Sequence, residues 1–319
     1  MRKQLLGMIF CPVCKAQQFD LSIEQENQVE IRQGTVTCQK CQRAYSVQDG
    51  ILDMLVNPSQ IILNEQTGWA QLEKMVVNTD ELMLSLPDGI GEHKATWQCQ
   101  AENFHYIWSQ LKLAGNETVL DLGAGRCWAT RYFARQGCYA VGLDVLLTRY
   151  VGLKTADIYL ENEGVYFDRI CGDMHQIPLR KNTFDIVFMA ATLHHSDDIL
   201  ASLQQVHDAL KPGGRLILVN EPVVGMRASK VLNCIEVEHG INEHVYRYTE
   251  YRHALRKLKM SYRLYPFIGS YHREIQVLNH RMTRVFPKQL MPQRMWRPLL
   301  VAQLLAYGGL LNLIAQKPA

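Results

Sequence analysis

From Thr118 onward the chain alternates short apolar runs with amphipathic stretches, and this alternation restricts the fold more than any other feature. Residues 119–122 read as a buried strand, 128–136 as a helix and 139–143 as a second strand. Residues 167–171, 184–189 and 215–219 supply three more strands, with 199–210 an amphipathic helix between the last two. Such alternation builds an α/β, doubly wound, mostly parallel sheet whose ligands bind at the carboxyl ends of the strands.

Those strand ends carry the chemistry. Asp121-Leu122-Gly123-Ala124-Gly125 closes the first strand and turns into a helix. Glycines admit a ligand close to the backbone, and the helix start offers N–H groups to a carboxylate. Asp144 closes the second strand, where an acid can accept from both hydroxyls of a ribose. Gly172-Asp173-Met174 closes the third, where a carboxylate suits an adenine amine, and Lys211-Pro212-Gly213-Gly214 makes a tight turn before the fifth. Taken singly, Asp121 reads equally well as a turn cap and Asp144 as a loop acid; their joint order favours a ligand site. A dinucleotide fingerprint lacks support because its third glycine is replaced: the loop reads Gly123-Ala124-Gly125-Arg126-Cys127-Trp128. Asp185 begins a strand and reads as structural.

A second constraint lies at the amino end. Four of the nine cysteines fall into two pairs, Cys11-Pro-Val-Cys14 and Cys38-Gln-Lys-Cys41. Two residues between thiols let each turn present both sulfurs to one tetrahedral ion, and four thiolates leave no open position, so a structural zinc is expected. The alternating segments 28–32 and 35–37 are expected to form the hairpin that brings the pairs together. The remaining five cysteines are scattered and read as small buried hydrophobes.

The ordered set from Asp121 to Gly214, with Phe184-Asp185-Ile-Val-Phe between, resembles the class I S-adenosylmethionine-dependent methyltransferases, and among them the ubiquinone/menaquinone-biosynthesis branch. The resemblance covers about residues 118–222. It implies a Rossmann-like seven-stranded sheet, completed by an antiparallel pair at 262–267 and 310–315. It also implies S-adenosylmethionine contacts from Asp121, Gly123, Gly125, Asp144, Asp173 and the Met174 backbone. Cys127 stands where many relatives have glycine. The first 55 or so residues resemble the zinc-ribbon family of tRNA-methyltransferase activator proteins, through the four cysteines and Tyr45-Ser46-Val47-Gln48-Asp49-Gly50-Ile51, with Ser46 in place of the usual proline. This ribbon reads either as a contact surface for RNA or a protein partner or as a stabilising cap.

The expected organisation is a zinc-ribbon domain at 1–57, a helical linker or cap at 58–114, and a methyltransferase domain at 115–319 with a basic insertion at about 269–296. Trp69, Trp97, Phe104, Tyr106 and Trp108 in the cap could wall a pocket, although aromatic residues at helical spacing usually form core. Candidate bases for a protonated acceptor are His194, His195 and Glu221, which follow the fourth and fifth strands; a wall role for the histidine pair competes with a catalytic one. Residues 239–248, dense in polar and aromatic groups, read as a lid or recognition segment.

The expected activity is methylation of a small or lipid-linked metabolite. RNA methylation is the second reading, resting on the ribbon and the basic insertion, and a non-catalytic partner protein is the third. A formal charge of +3 excludes a polybasic protein, and 47% hydrophobic residues exclude wholesale disorder. The apolar stretch at 5–10 is too short for a secretory signal, and 298–315 is interrupted by Gln303, Gly308, Gly309 and Asn312, so it reads as a helix at 297–307 and a strand at 310–315. A cytoplasmic protein with no membrane span is expected, with peripheral membrane contact left open.

Overall fold

The computed structural model describes residues 1–226, 228–230, 232, 234–266 and 293–319, the last stretch beginning with four residues described by backbone alone. The basic insertion expected at 269–296 lies almost wholly outside the described residues.

In the amino-terminal part, strands β1 (Phe19–Glu26), β2 (Ile31–Cys38), β3 (Ala44–Gln48) and β4 (Ile51–Asp53) form an antiparallel ribbon. The hairpin joining the cysteine pairs is β1–β2, so segment 28–32 falls in its turn and at the start of β2 rather than forming a strand of its own. Alternation alone missed this because Asn27 organises the turn, its side-chain oxygen accepting from the N–H groups of Val29 and Glu30.

Helices α1 (Gln60–Met75), α2 (Asp80–Ser85) and α3 (His93–Leu111) follow. Ser59 and Thr79 cap the first two by accepting from Ile62 N and Leu82 N. The sequence pattern suggests a first cap helix only around residues 71–77, but with Ser59 as its cap α1 begins at Gln60. The remaining elements are β5 (Thr118–Leu122), α4 (Trp128–Arg135), β6 (Tyr139–Asp144), α5 (Thr155–Glu163), β7 (Asp168–Cys171), β8 (Phe184–Ala190), α6 (Ile199–Ala209), β9 (Leu210–Val224), α7 (Ile235–Glu238), α8 (Tyr248–Lys257), β10 (Ser261–Tyr265), α9 (Gln293–Ala306) and β11 (Gly308–Gln316).

Strands β5 to β11 make the expected seven-stranded, mostly parallel sheet, but the sheet continues. Its full order is β1-β2-β3-β4-β7-β6-β5-β8-β9-β11-β10, eleven strands among the described residues. The join is a short parallel pairing, Ile51, Leu52 and Asp53 of β4 against Arg169, Ile170 and Cys171 of β7. An edge that would expose unpaired backbone groups is thereby covered by the ribbon. Beside the join, Arg169 is 1% exposed and its guanidinium binds both oxygens of Glu30 at 2.9 and 2.8 Å and Asp157 at 2.8 Å. Arg32 reaches the same two acids. Gly50, at φ +77°, is required here: a Cβ would lie 2.1 Å from Glu30 Oε2. Burial opposes charge on Glu30 and Asp157, but the arginines outweigh it and hold both carboxyls below their ordinary values.

Both faces of the sheet are covered. One core joins Leu120, Leu122 and Val141 to the ribbon's Val36, Tyr45 and Val47 and to Leu203, Tyr251 and Leu304 of α6, α8 and α9. The other packs Val119, Ile186 and Phe188 under Leu82, Phe104, Phe133 and Ile158 of α2 to α5. Chain order runs from β5 out to β7, then returns to β8 on the other side of β5, so the crevice for ligands falls at the β5–β8 switch point. Among the described residues no helix is long and apolar enough to cross a membrane.

Candidate functional site

A cavity of about 400 Å³ opens at that switch point, within the size range of small-molecule sites, roughly 300–1,000 Å³. Its floor is the loop after β5, from Gly123 to Arg126, with Asp144 from the end of β6 and Gly172, Asp173 and Met174 from the end of β7. The opposite wall comes from elsewhere: Ile62, Glu65 and Trp69 of α1, Trp97 of α3, His194 and His195 after β8, and Glu243 from the segment between α7 and α8.

The floor is shaped by backbone. Gly123 takes φ +71°, and a Cβ there would stand 2.0 Å from Thr192 Cγ2, so only glycine fits the loop at this approach. Cys127, two residues after Gly125, also takes a left-handed φ of +56° and is fully buried. Asp144 is 9% exposed and accepts from two backbone donors, Gly125 N at 2.7 Å on Oδ2 and Leu146 N at 2.8 Å on Oδ1. Burial pushes its pKa up to about 6 against the pull of those N–H groups. Asp173 Oδ1 accepts from His175 N and faces His175 Nδ1.

Asp121 departs from its expected place. Strand alternation turns it to the α4 face with Val119, where its Oδ2 accepts from the Thr130 hydroxyl, and it does not line the cavity. Burial raises its pKa to about 7 against that bond. Its bond is to a residue inside α4 and not to the turn that follows β5, so it holds α4 beneath the loop and is not a turn cap.

Glu221 also lies behind the wall. It is fully buried; Oε1 accepts from the N–H groups of Thr192 and Leu193, both at 2.8 Å, and Oε2 from His194 N and Nδ1, both at 3.2 Å. With these bonds it fixes the 3-10 turn Leu193–His195 and has no surface on the cavity, so it cannot be a base in contact with an acceptor. His194 and His195 do line the cavity, their ring centroids 4.3 Å apart. His194 faces Glu221 through Nδ1 and Glu243 through Nε2. Burial opposes its charge, yet these carboxylates hold its pKa up to about 10.

Of the cap aromatics, Trp69 and Trp97 reach the cavity, whereas Phe104 and Trp108 pack in the core against Trp128 and Phe133. Sequence reasoning missed Glu65, because α1 was expected to start later, and it did not single out Glu243 within the flagged 239–248 segment. Asp185 is structural as expected, its Oδ2 accepting from Thr118 N and Lys211 Nζ.

At the ribbon, the four sulfurs of Cys11, Cys14, Cys38 and Cys41 lie within 4.8 Å of one another. Cys11 and Cys41 are 3.6 Å apart and Cys14 and Cys38 3.5 Å. Tetrahedral zinc with Zn–S bonds near 2.3 Å separates sulfurs by roughly 3.8 Å, so the cluster fits that ion. The Tyr45 hydroxyl stands 3.0 Å from Cys11 Sγ, where it can donate to a thiolate.

Comparison with known proteins agrees with this architecture. Residues 120–218 match the family described as a methyltransferase domain. A demethylmenaquinone methyltransferase of Corynebacterium glutamicum (strain R) is 31% identical over 117 residues, 36% of this chain and 47% of that protein. The arginine-hydroxylase NDUFAF5 of Danio rerio is 28% identical over 135 residues, 41% of this chain and 40% of that protein. The chain thus spans less than half the length of these curated relatives. Among solved structures, the [4+2]-cyclase SpnF is similar in fold, with a TM-score of 0.50, 18% identity, and coverage of 72% of this chain and 85% of that one.

Proposed function

We propose that this chain, which carries a methyltransferase domain, is an S-adenosylmethionine-dependent methyltransferase acting on a small or lipid-linked acceptor. The observation that carries the reading is the convergence of three strand ends on one cavity: the glycine loop at 123–125, the buried Asp144 carboxylate and the Gly172–Met174 turn. These residues fit the donor. Asp144 has both oxygens braced by backbone N–H groups and faces the cavity, the disposition of an acceptor for ribose hydroxyls. Gly123 and Gly125 let a ligand approach the backbone, and Asp173 stands where an amine can donate to it.

S-adenosylmethionine, when bound, supplies an electrophilic methyl on a sulfonium. The chain's own work is then alignment and exclusion of water. Trp69 and Trp97 with Ile61 and Ile62 give the acceptor side an apolar wall, while its polar part sets Glu65, Glu236 and Glu243 beside His194 and His195. That mainly apolar wall, in a cavity of small-molecule size, supports a small or lipid-linked acceptor over RNA. One relative is named for methyl transfer to demethylmenaquinone, in keeping with that acceptor class. We assign Asp121 and Glu221 to positioning, the one holding α4 under the loop and the other holding the histidine turn. The four ribbon cysteines would hold a structural zinc, and the ribbon is a candidate surface for a protein partner.

The test is calorimetric titration with S-adenosylmethionine, followed by incubation of the full chain with methyl-labelled donor and fractionated cell extract. Saturable binding and label in a small-molecule or lipid fraction support the reading. Label in RNA would replace the acceptor class, and absence of donor binding would overturn the whole assignment.

A further inference from the structure

The acceptor-side wall holds a donor set that methyl transfer alone does not call for. His195 Nδ1 donates to the Asn242 carbonyl at 3.0 Å, and His194 Nδ1 lies 3.2 Å from Glu221 Oε2. A carbonyl and a carboxylate only accept, so each ring carries its proton on Nδ1 and, when neutral, a lone pair on Nε2. Both Nε2 atoms face one carboxylate: Glu243 Oε2 is 3.3 Å from His194 Nε2, and Glu243 Oε1 is 3.8 Å from His195 Nε2. One ligand atom from each of the three residues can be chosen so that all lie within 4.8 Å of one another.

Two imidazole nitrogens and a carboxylate converging on one point form a donor set that a cation can bridge, displacing any proton held on Nε2. Charge-assisted N–H···O contacts run about 2.7–2.9 Å, shorter than either distance here. A zinc-class ion with bonds of about 2.0–2.2 Å sets neighbouring N and O ligands roughly 3.4 Å apart at tetrahedral angles, and the observed 3.3 and 3.8 Å bracket that value. Metal-bound histidines characteristically give their other N–H to a carboxylate or backbone carbonyl, and both do so here. Negative charge is further concentrated by Glu65, whose Oε1 is buried without a hydrogen-bond partner, 3.4 Å from His195 Nδ1.

We propose that His194, His195 and Glu243 form a second metal site, for a divalent transition-metal ion of the zinc class. Two imidazoles and one carboxylate suit such ions better than calcium or magnesium, which take mainly oxygen ligands. Three protein ligands leave a coordination position facing the cavity, where water or an acceptor oxygen can bind. Glu221 is the positioning residue that orients His194. The site does not depend on the identity of the methyl donor.

The test is metal content of the purified full chain loaded with Co²⁺, measured without S-adenosylmethionine, so failure of the methyltransferase reading leaves it interpretable. The ribbon ion reports through intense thiolate-to-cobalt absorption; an N,N,O site gives only weak ligand-field bands. Two ions per chain are expected in the wild type. Glu243→Gln and, as a second variant, His195→Ala should each fall to one ion with the thiolate band unchanged, while Cys14→Ser should lose the thiolate band and keep the second ion. A wild-type chain holding one ion, accounted for by the thiolate band, would overturn the proposal. So would two ions retained in both Glu243→Gln and His195→Ala.

Discussion

Replacing Asp144 with asparagine tests the proposed donor site at its buried carboxylate. The carboxylate accepts from Gly125 N at 2.7 Å and from Leu146 N at 2.8 Å, one on each oxygen. An amide keeps one acceptor and turns its NH2 toward the other backbone donor, so a buried N–H loses its partner at a folding cost of ~1–3 kcal/mol. Binding loses a different quantity. Hydrogen bonds to a charged acceptor contribute about 1.5–3 kcal/mol and neutral ones about 0.5–1.5. The expected loss is therefore about 1.4 kcal/mol, a tenfold rise in Kd for S-adenosylmethionine. The pH dependence separates this from general damage. With its pKa raised to about 6, Asp144 is ionised above that value, so wild-type affinity should climb as pH rises through 6 and then level. One unit below the pKa, roughly a tenth of the carboxylate is charged and, with the neutral form binding about tenfold more weakly, Kd should be about fivefold weaker than at pH 8. The variant should lack this inflection, whereas titration of the neighbouring Asp121 would persist in both proteins. Calorimetry from pH 5 to 8, with melting curves as control, reads all of this. An unchanged Kd in a folded variant, or an inflection near pH 6 that survives the substitution, would refute the placement of Asp144 in the donor site.

Gly123→Ala should abolish measurable donor binding while costing only a few kcal/mol of stability, because its Cβ would drive into Thr192; calorimetry beside thermal melting checks the split. Arg169→Met leaves Glu30 and Asp157 buried with less compensation and should destabilise by ~3 kcal/mol in urea unfolding, with Glu30→Gln recovering part of it. Since Glu30 and Asp157 have folded-state pKa values below their unfolded ones, their contribution is complete above about pH 4.5 and is lost as pH falls through the folded values; a flat acid-stability curve would contradict this. Cys14→Ser should lower zinc to below half an ion at the ribbon and, because the ribbon shares a core and a sheet with the rest, should lower the melting temperature of the whole chain rather than of the first 55 residues alone.

The sequence by itself determined what short stretches of backbone and covalent spacing can carry. The Gly123–Gly125 loop, the acids closing the second and third strands, and the two Cys-x-x-Cys turns are local devices whose geometry follows from φ preferences and ligand spacing; five parallel strands follow from apolar periodicity, and the antiparallel pair that completes seven was implied by the family resemblance. Tertiary structure decided where separate segments meet. Pairing of Ile51–Asp53 with β7 merged the ribbon into an eleven-stranded sheet, a contact between stretches more than a hundred residues apart that no local pattern encodes. It also turned Asp121 away from the cavity onto Thr130, put Glu221 behind the histidine turn, and brought Glu65 and Glu243 to the wall from α1 and the segment before α8. A carboxylate's chemistry is set by which neighbours reach it and how much water is excluded, and both quantities exist only once the helices have docked on the sheet.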